Sequence, residues 1–316
     1  MISLVCTVRD EADNIAALLD SMLAQTRLPD EIVVNDCGSR DSTAAIVESY
    51  VARDMRVRLV RGGHNIPSGR NSAVAQARGE LIACTDAGLT LDPGWLEAII
   101  APLERGEADL VGGFFTPAPA SLFELTLGAV NYREASEVDG ATFLPFGKSM
   151  AFRRELWARV GGFPEWASHC EDLLFDFAAE RAGCRRAFAP DAVVRFRPRP
   201  SLRAFARQYF LYARGDGAAG LWPRRHLARY LAYLGLLGTL WAMAARPRAR
   251  LPGAAMIGLG AAGYTRGPYR RLWGRLAGRG PAERAYALAL VPAIRLVGDV
   301  AKMAGYPAGL RRRRMR

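Results

Sequence analysis

Four short stretches of the chain combine acids with small or hydroxylated residues: Thr7-Val8-Arg9-Asp10-Glu11, Asn35-Asp36-Cys37-Gly38-Ser39-Arg40-Asp41, Cys84-Thr85-Asp86-Ala87-Gly88 and Cys170-Glu171-Asp172. Carboxylates are costly to bring together unless they hold a cation, donors on a ligand, or backbone amides. One such stretch says little, because an acid before glycine also makes an ordinary turn; four of them indicate a site. The other reactive side chains suggest no competing chemistry. Cys6, Cys37, Cys84, Cys170 and Cys184 include no Cys-x-x-Cys pair, and His64, His169 and His226 are too scattered for a ligand set. Disulfide frameworks and cysteine-held metals are therefore not expected, and the globular part belongs in a reducing cytosol.

Strands alternating with helices must position these stretches. Apolar, β-branched runs at residues 2–8, 31–35, 57–60, 80–85 and 109–114 read as strands, and residues 12–23, 43–52, 68–78 and 93–103 read as helices. Alternation at this spacing predicts βαβ units in a doubly wound, mainly parallel sheet covered on both faces. Ligands bind such sheets beyond the carboxyl ends of the strands. The first three acidic stretches fall at those ends, and the fourth opens a helix that can face them. Residues 2–8 lack a basic n-region and run into Arg9-Asp10-Glu11, which marks a strand and not a signal peptide. Asp92-Pro93 reads as a helix cap. Residues 116–195 are less regular: a helix at 122–134, a loop at 139–146, a strand at 149–152, a helix at 154–160, the Gly161-Gly162-Phe163-Pro164 turn and a helix at 171–182. Trp95 and Trp166 could stack on a sugar or lipid, but core packing is the simpler reading.

The net charge of +12 over 316 residues hides a division: 18 basic against 28 acidic residues through position 194, and 25 against 3 thereafter. Half the chain is apolar, which excludes wholesale disorder. The basic part implies an anionic partner, either nucleic acid or a phospholipid surface. After Ser201 the residues Leu202, Phe205, Ala206, Tyr209 and Phe210 follow helical spacing with arginines opposite, and apolar runs occupy 230–245, 251–264 and 285–297. Nucleic acid offers nothing to bury those runs, so lipid is favoured. Each run is shorter than the roughly 20 residues of a typical span, and arginines flank them on every side. Helices lying in or dipping into one leaflet are expected over short transmembrane helices. The closing Arg311-Arg312-Arg313-Arg314-Met315-Arg316 adds about 1 kcal/mol per charge near anionic headgroups. The expected division is residues 1–195 for chemistry and 196–316 for a basic, helical, membrane-associated region.

In order and type the acidic stretches resemble the family 2 glycosyltransferases, inverting enzymes with the GT-A fold. Thr7-Val8-Arg9-Asp10-Glu11 is similar to the family's Thr-x-Asn-Glu-Glu. Asn35-Asp36-Cys37-Gly38-Ser39-Arg40-Asp41-Ser42-Thr43 is similar to its Val-Asp-Asp-Gly-Ser-x-Asp-x-Thr, with Cys37 replacing the second Asp. Gly69-Arg70-Asn71-Ser72-Ala73 is similar to its Ala-Arg-Asn-x-Gly helix start, and Phe152 through Gly161-Gly162-Phe163 to Glu171-Asp172 resembles its acceptor-side signature.

The resemblance implies transfer of a sugar, UDP-linked by expectation, from a nucleotide-sugar donor to a lipid-linked or polysaccharide acceptor at the cytosolic face of a membrane, in cell-envelope assembly. Asp172 would be the base, and Glu171 would orient the acceptor or ligate. Thr7, Arg9, Asp10, Glu11, Asp36, Arg70 and Asp86 would bind the nucleotide, and Lys148, Trp166 and His169 would lie on the acceptor side. Two departures concern the metal. Asp86-Ala87-Gly88 stands where the family has Asp-x-Asp, so Asp86 alone remains to ligate Mg²⁺ or Mn²⁺, and Arg195 follows Val193-Val194 where relatives carry a histidine. Either a divalent ion is held by Asp86 with donor phosphates and water, or Arg195, with Arg197 or Arg207, supplies the positive charge that clamps the diphosphate. The rival readings are a nucleotidyltransferase, whose expected Gly-rich basic first turn is replaced here by acid, and a non-catalytic scaffold or nucleic-acid-binding protein. The expected partners include no nucleic acid, and the sequence sets no oligomeric state.

Overall fold

Val, Ile and Leu dominate the first strand, β1 (Ile2–Val8), and the run is buried almost throughout. A central parallel strand covered on both faces requires this composition. The computed structural model describes residues 1–167 and 169–314. From β1 the chain proceeds through α1 (Ile15–Leu23), β2 (Glu31–Asp36), α2 (Thr43–Val51), β3 (Val57–Arg61), α3 (Ile66–Gln76), β4 (Leu81–Asp86), β5 (Leu89–Leu91), α4 (Trp95–Glu104) and β6 (Leu110–Pro117). It continues with α5 (Leu122–Asn131), β7 (Ser149–Arg153), α6 (Arg154–Val160), α7 (Glu171–Arg181) and β8 (Arg186–Phe196). Four helices follow: α8 (Leu202–Ala219), α9 (Pro223–Ala245), α10 (Arg250–Arg275) and α11 (Pro281–Arg314).

The strands form one sheet in the order β3-β2-β1-β4-β7-β6-β8-β5. Its first four strands are parallel, as are β6 and β8, while β7 runs antiparallel to both neighbours and β5 to β8. The expected doubly wound sheet is present and is mixed beyond β4. Two cores lie on its faces, one built with Ile15, Leu18, Leu19, Met22, Trp95 and Ile99, the other with Ala73, Val74, Leu156, Phe163 and Phe175. Trp95 is core, its indole N–H donating to Ser149 Oγ at 2.9 Å. β5 and β8 escape the alternation that marks the other strands, because β5 has three residues and β8 contains Pro190.

The chain divides into two compact units, residues 1–118 with 133–197 and residues 119–132 with 198–316. The sequence division does not anticipate that α5 belongs with the second unit. Leu127, Ala129 and Val130 of α5 join Phe205, Leu272, Leu276, Ala287, Val291 and Ile294 in a third core. Gly217 of α8, and Gly305 and Gly309 of α11, lie against the backbone of the opposing helix, where a Cβ would clash. The apolar face of α8 is thus packed inward, with Phe205 only 1% exposed, so this helix does not present that face to a membrane. In the second unit exposed apolar side chains are most numerous on α9 and α10, with Tyr286, Leu296 and Val300 also exposed on α11, and α9, with 23 residues, is the one described helix long and apolar enough to cross a membrane by length and composition.

Candidate active site

Strand register assembles the first part of the site. Thr7 sits between Asn35 on β2 and Asp86 on β4, and Val8 is opposite Asp36, so three acid-bearing stretches leave the same edge of the sheet. The Asp36 carboxylate is nearly buried and accepts from the Ser39 amide at 2.9 Å and the Ser39 hydroxyl at 2.6 Å. Gly38, at φ +82°, makes that turn possible. Two loops then interlock. Asp10 accepts from the Arg40 amide at 2.8 Å, the Asp10 amide donates to Ser39 Oγ, the Glu11 amide donates to Thr43 Oγ1, and the Ala12 amide donates to Asp41. Backbone amides therefore account for Asp10 and Asp41, one of the three explanations open for clustered acid. The Thr43 hydroxyl and amide hold Asp41 below its ordinary carboxylate range. Arg9 is exposed beside Asp10, and the Glu11 carboxylate lies near Gly88, where it accepts from Asn14.

The start of α3 closes on these strand ends. Asn65 and Ser68 form a reciprocal capping box with Pro67 in the first turn, and Gly69 lies so near Thr7 and Cys37 that a Cβ would come within 2.6 Å of the threonine methyl. Beside this contact Thr7 Oγ1 and Asn35 Oδ1 are buried without a hydrogen-bond partner among the described residues.

Arg70, one residue on, is expected to reach a nucleobase or phosphate; the structure corrects this. It is 2% exposed, its guanidinium bonding Asp86 at 2.7 Å and Glu171 at 3.2 Å above the Phe163 ring at 4.9 Å. The side chain is a cross-brace joining the end of β4 to the start of α7. Gly147 is required beside it, since a Cβ there would stand 2.7 Å from Nη2. The Gly147 amide donates to Asp172 Oδ2 at 3.3 Å, and the Leu173 amide donates to Oδ1 at 2.9 Å. Asp172, in the first turn of α7, is therefore aimed by two amides and favoured by the helix dipole. Burial pushes the neighbouring Glu171 carboxyl up to about 7, with Asp172 adding to the rise and Arg70 opposing it.

Sequence reasoning missed Gly147 and Phe163 as site residues and left Asn71 without a role. Asn71 Nδ2 donates to the Phe163 carbonyl and Glu165, while its Oδ1 accepts from the Trp157 indole and the Phe163 amide. It pins the Gly161–Phe163 turn to α3 and so sets the ring beneath Arg70. The only signal was its place in the helix-start motif.

The remaining candidates are dispersed. Arg195 forks onto Asp92 at 2.6 and 2.9 Å, so the proposed diphosphate clamp is engaged by a carboxylate. Asp92 in turn does not cap α4, whose cap residue is Gly94. Arg207 is an exposed residue of α8 in the second unit. Trp166 is 47% exposed, beside Glu165, whose carbonyl accepts from Asn65. His169 is half-buried just before α7. Lys148 has its carbonyl bonded by Thr85 and its ammonium over the Phe115 ring at 4.0 Å.

For a divalent ion the fit is poor. Asp86 gives Oδ1 to Arg70, Gly88 has no ligating side chain, and no group of three His, Cys, Asp or Glu converges on a metal position among the described residues. Burial pushes the Cys84 thiol up to about 12 and that of Cys6 well above its ordinary value, so burial disfavours the reactive thiolate form of both.

The family model for glycosyl transferase family 2 matches residues 3–161. Among curated proteins, the O-antigen biosynthesis protein RfbC of Myxococcus xanthus is 28% identical over 54% of this chain and 15% of its own length. The succinoglycan biosynthesis protein ExoA of Rhizobium meliloti is 29% identical over 65% of this chain and 66% of its own, and a dodecaprenyl-phosphate galacturonate synthase of Rhizobium johnstonii is 30% identical over 36% and 35%. The chain thus spans from under a sixth to about two thirds of these relatives. Among solved structures, the mannosyltransferase PcManGT of Pyrobaculum calidifontis, in complex with GDP-Man and Mn²⁺, superposes with a TM-score of 0.64 at 20% identity, covering 96% of this chain and 86% of that one. With half its length matched by the family model and its sheet following the GT-A pattern, this chain belongs to glycosyl transferase family 2.

Proposed function

We propose that the protein transfers a sugar with inversion from a nucleoside diphosphate sugar, UDP-linked by the resemblance, to a lipid-linked or polysaccharide acceptor at the cytosolic face of a membrane. The observation that carries this reading is the aim of Asp172, an acid held by two amides beside the Asp86–Arg70–Glu171 brace. The acceptor oxygen attacks the anomeric carbon as that carbon's bond to the diphosphate breaks. The acceptor proton passes to Asp172, and the nucleoside diphosphate leaves with the bonding pair. The unpartnered Thr7 Oγ1 and Asn35 Oδ1, with Asp36 on the next strand position, supply polar contacts for the nucleoside. The curated relatives named for O-antigen, succinoglycan and dodecaprenyl-phosphate galacturonate synthesis support the acceptor class.

Asp172→Asn keeps the shape and removes the base. Turnover of the nucleotide sugar should fall by about 10²–10⁴-fold with nucleotide affinity retained; near-normal turnover would overturn the assignment.

A further inference from the structure

Five half-buried phenylalanines of the first unit form a connected ladder. Phe188 meets Phe143 at 4.3 Å between ring centroids, Phe143 meets Phe146 at 5.4 Å, Phe146 meets Phe115 at 5.0 Å and Phe115 meets Phe196 at 5.6 Å. Phe115 and Phe196 pack against the first core and Phe188 meets the buried Phe114 at 6.2 Å, while Phe143, Phe146 and Phe188 themselves belong to none of the three buried cores. The ammonium of Lys148 stands over this ladder, 4.0 Å from the Phe115 ring, 4.8 Å from Phe196 and 6.0 Å from Phe146. Lys148 follows Gly147, whose amide bonds Asp172, so the ladder begins beside the candidate base.

We infer that this ladder and Lys148 form the subsite for a phosphorylated lipid anchor of the acceptor, the hydrocarbon chain lying on the rings and the phosphate facing the ammonium. The inference rests on the transferase reading and names its acceptor class. Saccharide subsites pair aromatic faces with hydrogen-bond donors and acceptors. Here all five rings are phenylalanine, with neither hydroxyl nor indole N–H, and their mostly edge-on or tilted packing leaves no flat platform for a sugar. A hydrocarbon chain requires neither. A cation held over rings retains its attraction for an anion, which makes a phosphate-headed lipid complementary to the surface in both parts.

The test uses the full chain in detergent micelles, titrated with farnesyl phosphate, farnesol and inorganic phosphate, and separately with UDP and GDP. Farnesyl phosphate should bind at least about tenfold more tightly than farnesol or phosphate. Replacing Phe143 and Phe146 together by serine should weaken it by about tenfold or more, and Lys148→Met should abolish the advantage of the phosphate over the alcohol, with nucleotide affinity retained in each variant. Should the serine pair lose nucleotide binding as well, Phe146→Ser alone and Lys148→Met decide by the same criteria. Unchanged farnesyl phosphate binding in nucleotide-competent variants, or equally tight binding of phosphate alone, overturns the subsite and leaves the transferase reading standing. Failure of the unaltered protein to bind either nucleotide overturns the transferase reading and the subsite with it.

Discussion

Arg70 shows how one buried side chain can tie the parts of a candidate site together. A guanidinium this deeply buried persists because two carboxylates and a ring face meet it, and removing one member of such a group leaves charge uncompensated. Arg70→Met should destabilise the fold by about 3–5 kcal/mol, read from denaturant melts, and Arg70→Lys should recover only part, because an ammonium lacks the planar fork that reaches both acids. Equal stability of the methionine variant and the parent would contradict the brace. Asp176, one helical turn after Asp172, is the converse case. It is fully buried, and neither oxygen has a hydrogen-bond partner among the described residues; burial, with the Asp172 charge adding, pushes its carboxyl well above the usual range. The folded state then binds this proton more tightly than the unfolded chain, so the residue weakens folding as pH rises above the unfolded value near ~3.9. Asp176→Asn should therefore raise the melting temperature at pH 8 by about 2–5 °C and leave it unchanged near pH 4; a gain at acid pH alone would reverse the sign and sink the argument. Asp36, Asp86 and Asp172 were legible in sequence because strand ends and a helix start fix where they emerge. The burial of Arg70 was not, since its partners lie 16 and 101 residues away and no local pattern reports on them.

At the scale of elements, the site depends on loops being brought against helix starts at distances that leave no room for a side chain. The approach of Gly147 to Arg70 couples the segment before β7 to α3, and its amide couples the same segment to α7. Gly147→Ala places a methyl carbon 2.7–2.9 Å from the guanidinium atoms, so either the brace or the loop must move. Overpacking of this kind costs about 1–3 kcal/mol; the protein should remain folded, while turnover falls because Asp172 loses its aim. Donor hydrolysis measured beside a thermal melt checks both halves, and full activity in the alanine variant would show that the contact is slack. The parallel core of the sheet was readable because short continuous apolar runs alternate with period-3.6 stretches through the first hundred residues. The mixed half was less so. Its strands pair across large sequence separations, β5 has only three residues, and the pairing of β6 with β8 shifts register between Gly112 and Phe114. The amphipathic pattern of α8 was correctly seen but assigned to lipid, because a face packed on helix α11 and one packed on a membrane have the same periodicity.

At the scale of the whole molecule, what distinguishes the second unit is where its apolar surface remains uncovered. Leu227, Leu231, Leu234, Leu237 and Trp241 of α9 are 56–69% exposed, at helical spacing that forms a stripe. At 23 residues the helix extends about 35 Å, comparable to a hydrocarbon core of about 30 Å. Arg224 and Arg225 lie near its start and Arg246, Arg248 and Arg250 just beyond its end. Arginine at both ends suits a helix lying along one leaflet, since a span would put one cluster on the disfavoured side. Fully burying a leucine contributes roughly 1.5–3 kcal/mol, against about 1 kcal/mol for each arginine near anionic headgroups, so apolar contact should dominate and binding should withstand salt. The full chain is therefore expected to sediment with phosphatidylglycerol-containing vesicles and to stay bound through a high-salt wash. Leu234→Glu combined with Leu237→Glu should release it, whereas replacing Arg311 through Arg314 by alanine should weaken binding chiefly at low ionic strength. Salt alone releasing the unaltered chain would assign the attachment to charge and leave the exposed face of α9 without its proposed lipid contact.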